Sequence, residues 1–283
     1  MAVTSISQVG RIKKAEIFVL FFVLEVMAFA ILPLSANKGW MPTLLGIHTG
    51  FTVTFLIAFL IVQRSKSGNE YGQVLYVLFI AGLAVLLSTL FSGDLIRLFG
   101  STPTNPQGIA MAKLSESVIR VATVLVLMAI AGADRRSLYL QKGKLGLGLR
   151  VGIPAFLVLA AIAFVPMVIQ EGSLNKLLSL SPWILIFVLS NGFGEELLYR
   201  GLFLQRYETF LGKGLSNLLA AVVFTLVHAQ VTYVSDVLQF LLVTFPLALI
   251  WGYLMQKTNS LWGSAIFHAG ADCIIIFGIF AAY

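Results

Sequence analysis

Ions are scarce in this sequence. Only 11% of its 283 residues are Asp, Glu, Lys or Arg, while 59% are hydrophobic. A soluble globular chain has about a quarter of its residues charged, so this one has too little polar surface to face water on all sides. Charge is absent altogether from 41–63, 71–93, 151–170, 214–235 and 237–256. Each of these runs reaches the roughly 20 apolar residues that a bilayer-spanning helix needs. Cysteine is nearly absent as well. Cys273 stands alone, which excludes an internal disulfide and leaves the redox compartment open.

Other absences narrow the chemistry. No H-E-x-x-H sequence occurs, which removes the zincin type of site. No serine sits in a Gly-x-Ser-x-Gly setting, so a serine nucleophile has no support. Asp94 and Asp272 do not lie in matching aspartate motifs, which disfavours a two-aspartate mechanism. No internal repeat is visible, which speaks against a transporter built from two related halves.

What is present predicts an all-α polytopic membrane protein of eight to nine transmembrane helices around a polar catalytic cavity. The spans are expected near 15–36, 41–63, 71–92, 112–133, 151–170, 178–205, 215–234, 237–256 and 260–281. The fourth contains Lys113, Glu116 and Arg120, of which Glu116 and Arg120 are one turn apart and can pair. Basic residues gather before the first span (Arg11, Lys13, Lys14), after the second (Arg64, Lys66) and after the fourth (Arg135 to Arg150). The positive-inside rule then places the N-terminus in the cytoplasm. Anionic lipid beside those loops accounts for the net charge of +7 without a nucleic-acid partner. The first apolar stretch is longer than a signal-peptide core and is interrupted by Glu16 and Glu25, so an uncleaved anchor is expected. The basic, glycine-bearing segment at 134–150 divides the chain into N-terminal spans with their linker (1–150) and a catalytic part (151–283).

Against this background, ions inside spans stand out, because a charged group at the bilayer centre costs at least ~2.5 kcal/mol. The second half concentrates them. Glu196 and Arg200 are four residues apart, as are Phe224 and His228, and His268 and Asp272, so each pair shares a helical face. At 1.5 Å of rise per residue, Glu195 lies ~16 Å from Arg206, His268 ~16 Å from Lys257, and His228 ~22 Å from Lys213. A carboxylate and two imidazoles are thus expected at similar depth, sharing one cavity. A carboxylate in a site of low dielectric can take a proton from water with an imidazole's help, and a second imidazole can donate to a developing oxyanion. Glu195, His228 and His268 also match a zinc donor set. Either route hydrolyses a peptide bond. Asn191 and Tyr199, four residues to either side of Glu195, are expected to orient it, and Phe224 to pack; His48 and Glu25 match no partner spacing and read as structural.

The motifs "EELLYR" at 195–200, "FTLVH" at 224–228 and "HAGAD" at 268–272 resemble those of the type II CAAX prenyl endopeptidases, also called the CPBP or Abi family of intramembrane proteases. The resemblance covers about 180–280. It implies that Glu195 activates water with His228 assisting, that Glu196 pairs with Arg200, and that His268 and Asp272 form an oxyanion hole or contribute to a Zn2+ site. Asp272 stands where the family pattern has Asn. The implied substrate is a membrane-anchored or prenylated peptide or protein, met within the lipid bilayer, and the expected location is the plasma membrane of a prokaryote. The alternative is a non-catalytic scaffold or immunity protein, or a small transporter, that uses the same cavity.

Overall fold

The computed structural model describes residues 11–30, 40–64, 69–171, 174–232 and 234–280. Ten α-helices account for most of them: α1 (Arg11–Phe29), α2 (Met41–Gln63), α3 (Asn69–Leu98), α4 (Pro106–Ile130), α5 (Leu145–Glu171), α6 (Leu174–Glu195), α7 (Leu204–Leu211), α8 (Lys213–Val227), α9 (Val237–Thr258) and α10 (Trp262–Phe280). Among the described residues there is no strand. The protein is all-α and integral to a membrane. Among the described residues, six helical segments are long and apolar enough to cross a bilayer: Met41–Gln63, Glu70–Leu98, Leu145–Pro166, Leu174–Leu211, Val237–Thr258 and Trp262–Phe280.

The sequence predicts nine spans, and three fall outside these six for separable reasons. α8 has 15 residues, a rise of ~22 Å against a hydrocarbon core of ~30 Å. α4 carries Lys113, Glu116 and Arg120 within two turns. α1 opens on Arg11, Lys13, Lys14 and Glu16, and residues 31–36 of the expected first span lie outside the described residues, as do Lys38 and Lys66.

Capping explains where α4 starts. Asn105 is extended, its side chain accepts from the Gly108 N–H at 2.8 Å, and Pro106 follows at the first helical position, where the missing N–H is not needed. Prolines inside α5, α6 and α9 (Pro154, Pro166, Pro182, Pro246) do not end those helices; neighbouring groups in spanning helices can satisfy the freed carbonyls.

The helices form two compact units. One takes the described residues within 1–86, 199–231 and 236–252; the other takes those within 87–198, 232–235 and 253–283. In the second unit α10 packs along α5 and α6, and α4 packs along α6. Small residues set that closeness. A Cβ on Gly192 would meet the Ala265 carbonyl oxygen at 2.8 Å and the Ala269 nitrogen at 2.9 Å, so glycine alone lets α6 rest on the α10 backbone. Ile184, Phe187, Val188, Ala269, Cys273 and Ile276 are buried together beside that approach. The 134–150 segment is a 3-10 turn over Arg135–Leu138 followed by the start of α5. Tyr139 O accepts from Leu261 N at 3.0 Å, Thr258 O from Lys144 N at 2.7 Å, and Gln141 O from Ser260 Oγ at 3.0 Å. This segment therefore fixes the turn that leads into α10.

Candidate active site

α6 does not continue as a regular helix past Glu195. Residues Glu196–Gly201 form a π turn before α7, a rare wide turn that recurs at functional sites. The two carboxylates stand at its threshold and their surroundings differ. Glu196 has no exposed surface, whereas Glu195 retains 9%.

Glu196 is held from α10. Ser264 Oγ donates to Glu196 Oε2 at 2.7 Å, and His268 Nδ1 lies 2.9 Å from Glu196 Oε1. Ser264 and His268 are one turn apart, so a single helical face grips both oxygens. A carboxylate can only accept, so with Glu196 ionised the proton of that ring sits on Nδ1. The other ring nitrogen, Nε2, lies 3.6 Å from Glu195 Oε2 and 3.7 Å from Asp272 Oδ1. Both gaps exceed a direct hydrogen bond. Asn191 Nδ2 donates to Asp272 Oδ2 at 3.0 Å. Glu195, His268, Asp272 and Asn191 are all buried, in a setting where unmet polar groups are costly.

Several expectations change here. Asn191 orients Asp272 in the described geometry, where the spacing points it to Glu195. Beyond its spacing to Arg200, Glu196 is bound within its own unit by Ser264 and His268. The depth count for His268 supposes one helix from Lys257 onward, but α9 ends at Thr258 and Asn259 turns the chain at φ 52°. The level of His268 is set by its bond to Glu196. Ser264 escapes the sequence reading altogether, although the run Ser264, His268, Asp272 at intervals of four carried the signal.

α4 closes one side of the same unit. Ser117 lies against Gly194, whose Cβ would sit 3.1 Å from Ser117 Oγ. One turn before it, Lys113 Nζ pairs with Glu116 Oε2 at 2.8 Å and lies 5.8 Å over the Phe187 ring. Glu116 also pairs with Arg120, the partner its spacing predicts.

The other unit carries Arg200, Phe224 and His228. Arg200 has no exposed surface. Its guanidinium donates to Ala248 O at 3.5 Å and lies 4.2 Å from the Phe224 ring centre and 5.5 Å from that of Trp251, a cation–π arrangement. Phe224 is therefore more than packing. His228 ends α8, and its Nδ1 lies 2.7 Å from Phe224 O. A carbonyl only accepts, so the proton is on Nδ1 and Nε2 of the neutral ring is an acceptor.

Zinc is tested by the donors. Among the described residues, no three His, Cys, Asp or Glu side chains are arranged to hold a metal ion. His268 Nδ1 is engaged by Glu196, so that nitrogen is not offered to a metal. The remaining nitrogen, Nε2, is the one that a carboxylate on Nδ1 would leave to face a ligand.

Comparison with known proteins adds one finding. No curated protein and no solved structure matches the chain. The stretch holding both carboxylates, Arg200, both histidines and Asp272 does match a family: residues 177–274 fit the model of the type II CAAX prenyl endopeptidase Rce1-like family.

Proposed function

We propose that this chain is an intramembrane endopeptidase that cleaves membrane-associated peptides, including C-terminal prenylated segments of the CAAX kind. The observation that carries the reading is the arrangement of His268: its Nδ1 is fixed by Glu196 at 2.9 Å, and its Nε2 faces the less buried Glu195 at 3.6 Å.

In this reading Glu195 takes a proton from a water that approaches both it and His268. The water oxygen adds to the scissile carbonyl carbon. His268, protonated on both nitrogens, donates from Nε2 to the oxyanion, while Glu196 offsets its charge. Asp272, oriented by Asn191, supplies a second donor when protonated, as an amide would. Glu195 then returns its proton to the departing amine as the C–N bond breaks. The N-terminus faces the cytoplasm, and the membrane is a prokaryotic plasma membrane.

The test is cleavage by purified protein of two peptides, one farnesylated near its C-terminus and one anchored by an apolar segment. Glu195→Gln should lower turnover by ~10³-fold, within the range of a general base, with unchanged thermal unfolding. Chelation should leave the rate unaltered. Binding without cleavage by the wild type would identify a scaffold, and a rate lost with stoichiometric metal would overturn the proposed route.

A further inference from the structure

The first helix carries a carboxylate that the reaction above does not use. Glu25 has no exposed surface, and neither of its oxygens has a hydrogen-bond partner among the described residues. Burying such a group costs free energy unless a charge or donor compensates it.

Its neighbours show what does. Phe21, Glu25 and Phe29 are four apart and form one stripe of α1. Tyr199, Phe203 and Tyr207, also four apart, run along the π turn and α7. The Phe29 ring lies 4.5 Å from Tyr199 and 5.7 Å from Phe203, and the Phe21 ring stacks 4.9 Å from Tyr207. The stripes are antiparallel, and Glu25 falls between the ring contacts. The buried Tyr207 hydroxyl likewise has no hydrogen-bond partner among the described residues. Tyr207 is the hydroxyl that acts on the Glu25 carboxylate, and the Arg200 charge acts on it too. Among the described residues of this unit, Glu25 is the only buried carboxylate.

We propose that Glu25 is a positioning residue, its carboxylate shared between the Tyr207 hydroxyl and the Arg200 guanidinium so that it fixes the arginine of the Glu-Glu-x-x-x-Arg turn. α1 is then a working part of the enzyme although it lies outside the matched stretch 177–274. The catalytic consequence rests on the protease reading; the clamp itself does not.

The experiment uses the full chain with Glu25→Gln, Tyr207→Phe, Arg200→Lys and the Glu25→Gln/Tyr207→Phe double variant, each measured for thermal unfolding and for kcat and KM per folded protein. Glu25→Gln should lower kcat about tenfold with KM within about twofold. Tyr207→Phe keeps the ring stack and loses the hydroxyl, and the double variant should be no worse than Glu25→Gln, since coupled neighbours are not additive. A kcat per folded protein equal to wild type in Glu25→Gln, or additive losses in the double variant, overturns the proposal. Should Glu25→Gln fail to fold, the Tyr207→Phe and Arg200→Lys variants carry the same test: wild-type kcat and melting in both would overturn it. If the wild type cleaves nothing, the protease reading fails, and the melting cycle still decides the clamp.

Discussion

Glu196 and Arg200 lie four residues apart in one π turn, both without exposed surface, and the two units surround them differently. Glu196 meets a hydroxyl and an imidazole at 2.7 and 2.9 Å. Arg200 meets the faces of Phe224 and Trp251 and a carbonyl at 3.5 Å. Hydrogen bonds to a charged group are short and directional, so the Glu196 side fixes an orientation. A ring face attracts a cation broadly, so the rings by themselves give Arg200 less direction than Glu196 receives. A catalytic imidazole needs the first kind of support, because the position of one nitrogen decides its chemistry.

Three substitutions break or sharpen that contrast, in decreasing order of effect. Glu196→Ala leaves Ser264 and the His268 ring without their buried acceptor, and should destabilise by ~3–5 kcal/mol, read from unfolding in detergent, with cleavage lost as His268 is released. Gly192→Val should cost about 1–3 kcal/mol, because its side chain would have to displace the α10 backbone now in contact; the same preparation should lose cleavage, since His268 would be carried away from Glu196. Phe224→Leu should cost ~0.5–2 kcal/mol and leave the His268 side of the site intact, seen as a small melting shift with KM unchanged. A Phe224→Leu loss equal to that of Glu196→Ala would erase the distinction between the two kinds of support.

Much of this was legible beforehand. Charge-free runs place spanning helices because hydrocarbon excludes ions, and α2, α3, α5 and α9 lie close to four of those runs, while the fifth, 214–235, holds the shorter α8. The meeting of Glu195 with His268 follows from ions that have no other place in an apolar chain. Partner identities were less legible. Intervals of four residues show which groups share a face of one helix, yet the Asn191–Asp272 and Ser264–Glu196 bonds join α10 to α6 and its π turn, and depend on how closely the helices approach. That approach is set at Gly192, a residue with no chemistry of its own. Glu25 matches no spacing because its counterparts lie 175 residues and more along the chain. The π turn is equally silent in sequence, since no residue type demands it.

The bonds between 139–144 and 258–261 bear on how the protein can be handled. By composition, the glycine-bearing basic stretch looks like the natural place to insert an epitope or a reporter. Its carbonyls and amides, however, are the moorings of the turn into α10, and Gly143, at φ 45°, has the carbonyl oxygens of Thr258 and Asn259 only 2.4 Å from where a Cβ would stand. An insertion there would act at a distance of more than a hundred residues in sequence, loosening the approach to His268 while touching no catalytic group. Labels belong elsewhere, and an inactive tagged protein of that design would report on its mooring, with no bearing on its chemistry.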